Sequence, residues 1–312
     1  MTILLIGGAV AWWINGNYPA DESNNTPRLF VIQKGEGIRS IANSLKNEGL
    51  IRDPVVFFLL VRALGLDGKI QAGEFYLSPS MSTTEIASAL QVGTFDIRVT
   101  IPEGKRAQEI ADILKQHLPT FDESWRVTLD ANEGYLFPDT YAFAKDATLD
   151  QVVSLMRNNF EEKYATIPND GTKKLTREQI VILASMVERE ARLDEDRPMV
   201  ASVMLNRLGI GMKLDIDATI QYALGYNITE KTWWKKGLTM SDINLNSPYN
   251  TYQVAGLPPT PISNPGIEAL QAVLTAPETD YLYYLTDPAT GRNQYSKTLK
   301  EHHAKVKKYG LE

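Results

Sequence analysis

Residues 176–193, TREQIVILASMVEREARL, contain the strongest structural signal in the chain. Thr176 and Gln179 are spaced as a capping box, in which the threonine hydroxyl accepts from the Gln179 amide and the Gln179 side chain reaches back. A helix therefore begins here, and its apolar residues recur at helical spacing. The predicted buried stripe consists of Ile180, Leu183, Ala184, Val187 and Ala191.

Two glutamates near the end of this helix have different neighbours. Glu188 lies four residues before Arg192, the favourable order for a helical ion pair, so we expect it to be a solvated structural residue. Glu190 lies four residues after Met186 and four before Asp194, and apolar walls and a like charge both raise a carboxyl pKa. A carboxylic acid that stays protonated near neutral pH can act as a general acid, which makes Glu190 the candidate catalytic residue. The alternative is an ordinary glutamate at a helix end.

The composition limits the classes of function. Of the 312 residues, 43% are hydrophobic and 22% charged, as in a soluble globular chain with enough apolar side chains for two or three cores. The formal net charge of -6 argues against nucleic acid as a partner. The chain has no cysteine and three histidines, which excludes disulfides and thiolate metal sites and leaves few candidates for histidine-centred catalysis.

The beginning of the chain departs from this average. Residues 2–14, TILLIGGAVAWWI, carry no charge and include two tryptophans, as at a membrane interface, but a spanning helix needs about 20 apolar residues. We interpret residues 1–15 as a truncated transmembrane anchor, with a signal peptide or a buried core segment as the alternatives. Residues 16–27 are polar and rich in turn formers, which predicts an exposed tether.

The rest of the chain predicts an α+β fold class. Between residues 29 and 118, extended runs at 30–32, 74–77 and 97–101 are each followed by a turn and an apolar helical stripe, a pattern typical of small α+β modules. Another apolar helix is predicted at 54–64. From residue 133 onward we expect mainly helices with long ordered loops, an exposed turn at 169–171 and a late β-hairpin at 281–296.

Residues 247–266, SPYNTYQVAGLPPTPISNPG, form a second informative stretch. Five prolines fix the backbone, while tyrosine and asparagine offer flat apolar faces beside hydrogen-bonding groups, which suits a sugar ring. A packed surface loop without a ligand is the alternative. Asn264 precedes Pro265 and is expected to begin the next helix as its N-cap, as Asp217 is for the short helix that contains Tyr222.

Four blocks, taken in order and spacing, resemble the endolytic murein transglycosylase family called MltG or YceG-like. They are residues 133–141 (EGYLFPDTY), 184–191 (ASMVEREA), 200–225 (VASVMLNRLGIGMKLDIDATIQYALG) and the 247–266 loop. The resemblance implies a bacterial single-pass inner-membrane protein that cleaves nascent peptidoglycan strands outside the cytoplasm. It also implies a LysM-like module at residues 28–94 and a catalytic domain at 95–312.

The resemblance places the family's catalytic glutamate at Glu190, although alanine follows it where other lytic transglycosylases have serine or threonine. Glu190 would protonate the glycosidic oxygen and then deprotonate the muramic O6 hydroxyl, giving a 1,6-anhydro end without a metal or cofactor. The implied partners are glycan strands, the membrane and the wall-synthesis machinery. The substrate-binding residues expected in these blocks are Glu133, Asp139, Asn206, Asp217, Tyr222, Tyr249, Asn250, Thr251, Tyr252 and Asn264.

Two other functions stay open on the sequence. A lysozyme-type hydrolase would use Glu190 together with a second carboxylate, which could be Asp139, Asp215 or Asp217. A noncatalytic peptidoglycan-binding or assembly scaffold would act through the LysM-like module instead.

Overall fold

The computed structural model describes residues 2–91, 96–168 and 174–311. The chain divides into two compact units: the first runs to Arg98 and includes Ala142–Lys145, and the second comprises Val99–Tyr141 and the chain from Asp146 onward. The chain passes from one unit to the other three times: within β3 (Asp96–Thr100), within β4 (Thr140–Ala144) and directly after Lys145. β3 and β4 pair with each other. The predicted domain boundary at residues 94 and 95 and the predicted turn at 169–171 lie outside the described residues.

The first unit joins a two-stranded antiparallel sheet to short helices. Phe30 of one strand lies opposite Phe75 of the other. Because side chains alternate along a strand, Phe30 and Ile32 share the buried face with Phe75 and Leu77. The elements are α1 (Thr2–Asn17), β1 (Arg28–Ile32), α2 (Ile38–Asn47), α3 (Pro54–Ala63), β2 (Gly73–Leu77) and α4 (Thr83–Ala89).

Specific contacts hold α1 within this unit. The Trp12 indole N–H donates to the Asp53 carboxylate over 2.8 Å, and the Thr83 hydroxyl donates to the Gly16 carbonyl over 2.8 Å. A Cβ at Gly16 would lie 2.4 Å from Val56, so the glycine permits this close approach. Among the helices of the described residues, none combines the length and the apolar character needed to cross a bilayer. The anchor at 1–15 stays a prediction.

The segment predicted as a tether begins inside α1 and is fastened where it leaves the helix. The Arg52 guanidinium donates to the Pro19 carbonyl over 2.7 Å, and the Asp21 amide donates to the Pro79 carbonyl over 2.9 Å. Most of residues 21–27 are exposed, as expected for a polar connection. The first part of the 16–27 segment is therefore a packed piece of the first unit.

The second unit is mainly helical and is built around α8. Its elements are α5 (Ala107–His117), α6 (Trp125–Asp130), α7 (Leu149–Ala165), α8 (Arg177–Glu190), α9 (Arg197–Gly209), α10 (Asp217–Leu224), α11 (Met240–Ile243), α12 (Ile267–Leu274), β5 (Tyr283–Thr286), β6 (Asn293–Ser296) and α13 (Leu299–Tyr309). The capping box is confirmed, because the Thr176 hydroxyl accepts from the Gln179 amide over 3.2 Å and the Gln179 side chain accepts from the Thr176 amide over 2.9 Å. The mixture of helices and small antiparallel sheets confirms the α+β class, whereas the LysM-like character of residues 28–94 stays a prediction.

The prediction of a single buried stripe on α8 is wrong in its extent. All residues from 180 to 187 are buried, because α8 packs against α9, α10 and α12 on different sides. The polar Ser185 is accommodated there by hydrogen bonds to the 247–266 loop: its hydroxyl accepts from the Ile262 amide over 3.0 Å, and its carbonyl accepts from the Ser263 hydroxyl over 3.1 Å. The loop is thus anchored on the central helix.

Two helix starts differ from the sequence predictions. The helix after the loop begins at Ile267 with Gly266 at the N-cap position, so Asn264 does not cap it. Asp217 is the first helical residue of α10, and Ile216 occupies the N-cap position. The predicted hairpin is confirmed as β5 and β6, which pair antiparallel.

Candidate active site

Glu190 is the last residue of α8 and is half-buried. Its Oε2 accepts a hydrogen bond from the Tyr284 hydroxyl of β5 over 2.9 Å. Burial, with a smaller contribution from the negative charge of Asp217, raises the Glu190 pKa. The Tyr284 hydroxyl, the Ala218 amide and the Arg189 guanidinium act in the opposite direction, but the net shift is upward. The upward direction agrees with the one expected from the sequence, and it favours the protonated form that general acid catalysis requires.

Asp217 connects this carboxyl group to the 247–266 loop. Its Oδ1 accepts from the Tyr252 hydroxyl over 2.7 Å, and burial and the Asp217 charge together raise the Tyr252 pKa, so that this hydroxyl stays a donor. Thr251 sets the start of α10, because its hydroxyl accepts from the Ile216 amide over 2.9 Å. Of the predicted site residues, Glu190, Asp217 and Tyr252 are therefore brought together.

The prediction that Asp194 supplies the like charge near Glu190 is wrong. Because α8 ends at Glu190, Asp194 does not continue the same helical face one turn later. The Asp194 side chain is 80% exposed and pairs with Arg197 over 3.0 Å in a 3-10 turn, Asp194–Asp196. The like charge comes instead from Asp217, which the fold brings in from α10.

The predicted solvated environment of Glu188 is wrong, and its structural role stays a prediction. Its side chain is only 5% exposed and pairs with Arg197 over 2.9 Å instead of with Arg192. Its second oxygen accepts from the Gly266 amide over 3.0 Å, at the start of α12. Arg189, between the two glutamates, places its guanidinium carbon 3.8 Å from the ring centroid of Trp234. The two glutamates therefore have opposite surroundings: Glu188 is neutralised by an ion pair, and Glu190 is not.

The other two candidate second carboxylates have their own partners. Asp139 is exposed and accepts from the Asn159 amide over 3.0 Å. Asp215, whose φ of 51° lies in the left-handed region, contacts the Arg207 guanidinium over 3.4 Å. Asp217 is thus the carboxylate of these three that acts on Glu190. Within the described residues, no group of three or more His, Asp or Glu side chains is arranged to hold a metal ion.

Two predicted binding residues direct their amides into the protein. Asn250 is fully buried, and its Nδ2 donates to the backbone carbonyls of Ile243 and Leu245 over 2.9 and 2.7 Å. Asn206 donates to the carbonyls of Thr279 and Tyr281 over 2.8 and 2.9 Å. Both amides hold backbone in place.

An aromatic cluster adjoins the loop. The rings of Tyr222 and Tyr249 lie 4.9 Å apart, and the Arg106 guanidinium carbon lies 4.2 Å from the Tyr222 centroid and 4.8 Å from that of Trp233. Tyr222 and Tyr249 are both half-buried. Arg106 and Trp233 escaped the sequence analysis, since neither belongs to a motif or a periodic pattern.

The YceG-like family model matches residues 30–308. The chain belongs to the YceG-like family. A Bacillus subtilis protein named endolytic murein transglycosylase is 31% identical over 98% of this chain and 91% of its own length. A Streptococcus pneumoniae protein of the same name is 28% identical over 92% of this chain and 59% of its own length. A crystal structure of a YceG-like protein from Listeria monocytogenes shares a TM-score of 0.57 and 29% identity, covering 89% of this chain and 98% of that one.

In this YceG-like protein, Asn264 links the 247–266 loop to the 133–141 block. Its Nδ2 donates to the Glu133 carboxylate over 2.8 Å and to the Lys105 carbonyl over 3.0 Å. Its Oδ1 accepts from the amides of Gly134 and Leu136, each over 2.9 Å. Asn264 is fully buried, so these four bonds use the whole hydrogen-bonding capacity of its amide inside the protein.

Glu133 makes the stability of this YceG-like protein depend on pH. Burial raises its pKa from 4.5 to about 8. The stability that Glu133 contributes is therefore fully present below its unfolded-state pKa and is lost as the pH rises from 4.5 to about 8. Glu133→Gln removes this titration. The difference in unfolding free energy, variant minus wild type, should therefore increase by about 5 kcal/mol as the pH rises over that range. Urea unfolding of both proteins at a series of pH values measures the difference, and parallel pH profiles would contradict the assignment.

The sequence analysis also missed Tyr284, which contacts Glu190. The run at 281–285 contains three tyrosines in one apolar stretch, which indicates a strand. Nothing in that spacing distinguishes the tyrosine whose hydroxyl reaches Glu190 from the other two, because the contact spans 94 residues.

Proposed function

We propose that this chain is an endolytic murein transglycosylase, a lyase that cleaves the β-1,4 bond between N-acetylmuramic acid and N-acetylglucosamine within peptidoglycan strands. The observation that carries the proposal is the Glu190 carboxyl group, which is half-buried, has a raised pKa and has no ion-pair partner among the described residues. The Bacillus subtilis relative of that name, which aligns with 98% of this chain, supports the substrate and the reaction.

The reaction needs one group that first gives and then takes a proton. Glu190 donates its proton to the glycosidic oxygen as the bond from that oxygen to muramic C1 breaks, so N-acetylglucosamine leaves with a free hydroxyl. The substrate's N-acetyl group stabilises the developing positive charge at C1. The ionised Glu190 then removes the proton of the muramic O6 hydroxyl, and O6 bonds to C1. Glu190 regains its proton, the product ends in a 1,6-anhydro ring, and no water is consumed.

Asp217 is better placed to support Glu190 than to act as a second catalytic carboxylate. Its Oδ1 is occupied by the Tyr252 hydroxyl, and its negative charge raises the Glu190 pKa. A nearby negative charge favours the protonated acid at the start of the reaction. This arrangement favours the single-carboxylate reaction over a lysozyme-type hydrolysis.

The substrate contacts come from the half-buried aromatic side chains. Tyr222, Tyr249 and Tyr252 present rings of the kind that pack on sugar faces. Asn250, Thr251, Asn264 and Glu133 instead support the 247–266 loop and its neighbours, because their polar groups bond within the protein. Asn206 supports the segment before β5 in the same way. Asp139 is exposed and remains a proposed binding residue.

The substrate places the proposed site outside the bacterial cytoplasm. Residues 1–15 would then serve as part of a membrane anchor and residues 28–94 as a LysM-like module that binds glycan. The wall-synthesis machinery that produces nascent strands is the proposed partner.

Digestion of purified peptidoglycan in 18O-labelled water tests the reaction type. We expect products whose muramic ends are one water lighter than reducing ends and carry no label. Labelled reducing ends would instead show a hydrolase. Absence of cleavage by the folded protein would favour a noncatalytic scaffold.

Asp217→Asn separates the two enzymatic mechanisms. Removing the like charge lowers the Glu190 pKa, so the alkaline limb of the pH–rate profile should move to lower pH by about one unit, with cleavage retained at its optimum. Steady-state cleavage rates across pH measure the shift. If Asp217 were the second carboxylate of a hydrolase, the cleavage rate of the variant would be about 10³-fold lower than that of wild type at every pH.

A further inference from the structure

The two oxygens of Glu190 are not equivalent, because the Tyr284 hydroxyl donates to Oε2 over 2.9 Å. We infer that Tyr284 is a positioning residue that assigns the catalytic proton to Oε1 of Glu190. This inference rests on the proposed function, since it concerns the same carboxyl group. It adds a residue and an atom that the single-glutamate reaction does not by itself require.

Tyr284 is a permanent hydrogen-bond donor in this position. Burial and the negative charge of Glu190 raise the Tyr284 pKa well above its usual value, so the phenol does not ionise in the working range. A protonated carboxyl group accepts hydrogen bonds through its carbonyl oxygen and donates through its hydroxyl oxygen. With Oε2 accepting from Tyr284, the transferable proton therefore resides on Oε1.

The β5–β6 hairpin is pinned on one side by Asp196. Tyr284 pairs with Tyr295 across the hairpin. The Tyr295 hydroxyl donates to Oδ1 of Asp196 over 2.9 Å, and the backbone N–H of Asn293 donates to Oδ2 over 3.0 Å. Asp196 belongs to the turn that follows α8, so the strand carrying Tyr284 is tied to the same stretch of chain that carries Glu190.

Helix α9 holds the residues that lead into β5. The Arg207 guanidinium donates to the Leu282 carbonyl over 2.6 Å, and the Asn206 amide donates to the Tyr281 carbonyl over 2.9 Å. Because α9 bonds the residues just before β5 and Asp196 bonds the partner strand β6, the Tyr284 hydroxyl is held in place before substrate arrives. Preorganised donors of this kind are effective because they need no reorganisation during reaction.

The groups around Glu190 act on its protonation in opposite directions. Asp217 favours the protonated form, whereas Tyr284, the Ala218 amide and Arg189 favour the ionised form. Arg207 and Tyr295 act on Tyr284 itself: the Arg207 charge lowers the Tyr284 pKa and Tyr295 raises it. Once Glu190 has given its proton to the leaving group, the Tyr284 hydrogen bond stabilises the carboxylate that remains. Loss of this hydrogen bond from Tyr284 would make Glu190 a weaker acid.

Tyr284→Phe tests this role, because phenylalanine keeps the ring and removes only the hydroxyl. We expect kcat to fall about tenfold, KM to stay within about twofold, and the alkaline limb of the pH profile to move up by about one unit. This shift is opposite in sign to that of Asp217→Asn. Tyr283→Phe is the matched control, since the Tyr283 ring stacks on His302 and faces Arg207, and we expect an unchanged profile.

An unchanged pH profile in Tyr284→Phe would overturn the inference, whether or not the melting temperature falls. So would an equal shift in Tyr283→Phe. Failure of the proposed function is distinguishable, because it would appear as cleavage that survives Glu190→Gln. If Glu190→Gln is inactive while Tyr284→Phe behaves as wild type, only the role of Tyr284 is lost.

Discussion

Glu190→Gln is expected to lower the rate of glycan cleavage by about 10³-fold or more without loss of folding. Glutamine retains the size of the side chain and can accept from the Tyr284 hydroxyl, but it has no proton to give to a glycosidic oxygen. The loss should appear in kcat, with glycan binding preserved. Release of soluble fragments from purified peptidoglycan measures it.

The same variant should be at least as stable as wild type at neutral pH. Because the Glu190 pKa is raised in the folded state, ionisation of this carboxyl group costs stability as the pH rises above its unfolded-state value. A neutral glutamine avoids that cost, as often happens when a strained functional group is replaced. A thermal melt at neutral pH serves as the folding control, and wild-type cleavage by the folded variant would remove Glu190 from the mechanism.

Arg197→Met is expected to destabilise the folded protein strongly. The Arg197 and Glu188 side chains are 9% and 5% exposed and pair over 2.9 Å. Removing the arginine leaves a buried carboxylate without its counter-ion, which typically costs about 3–5 kcal/mol. Urea unfolding measures this loss of unfolding free energy.

A double variant provides the control for this ion pair. Adding Glu188→Gln to Arg197→Met removes the uncompensated charge, so most of the lost stability should return. Asp194→Asn is a further comparison, because Asp194 pairs with the same arginine but is 80% exposed and should cost less than about 1 kcal/mol. If Arg197→Met lowered the unfolding free energy by as little as Asp194→Asn does, the buried pair would not be structurally important.

Local patterns predicted much of the fold. The capping box at Thr176 is confirmed, as are the extended runs at 30–32 and 74–77 and the late hairpin, because each depends on neighbouring residues. The end of α8 was harder to predict. The helix stops at Glu190 because Ala191 turns into extended backbone with φ -86° and ψ 110°, and no proline or glycine marks that point.

The surroundings of Glu190 depend on contacts that a linear pattern does not contain. Helical spacing pointed to Glu190 over Glu188 and indicated its raised pKa, but it assigned the like charge to Asp194. In the structure, the like charge near Glu190 belongs to Asp217 of α10, and Tyr284, from a strand far along the chain, donates a hydrogen bond to Glu190. The family resemblance supplied the reaction, which no spacing of residues could have predicted.

The central claim is that Glu190, and not Glu188, transfers the proton in a lytic cleavage. Its most direct test is mass spectrometry of the muramic ends released by wild type, Glu188→Gln and Glu190→Gln, each assayed at a temperature where a melt shows it folded. We predict 1,6-anhydro ends from wild type and Glu188→Gln and none from Glu190→Gln. Anhydro ends from Glu190→Gln, together with an inactive Glu188→Gln, would contradict the claim.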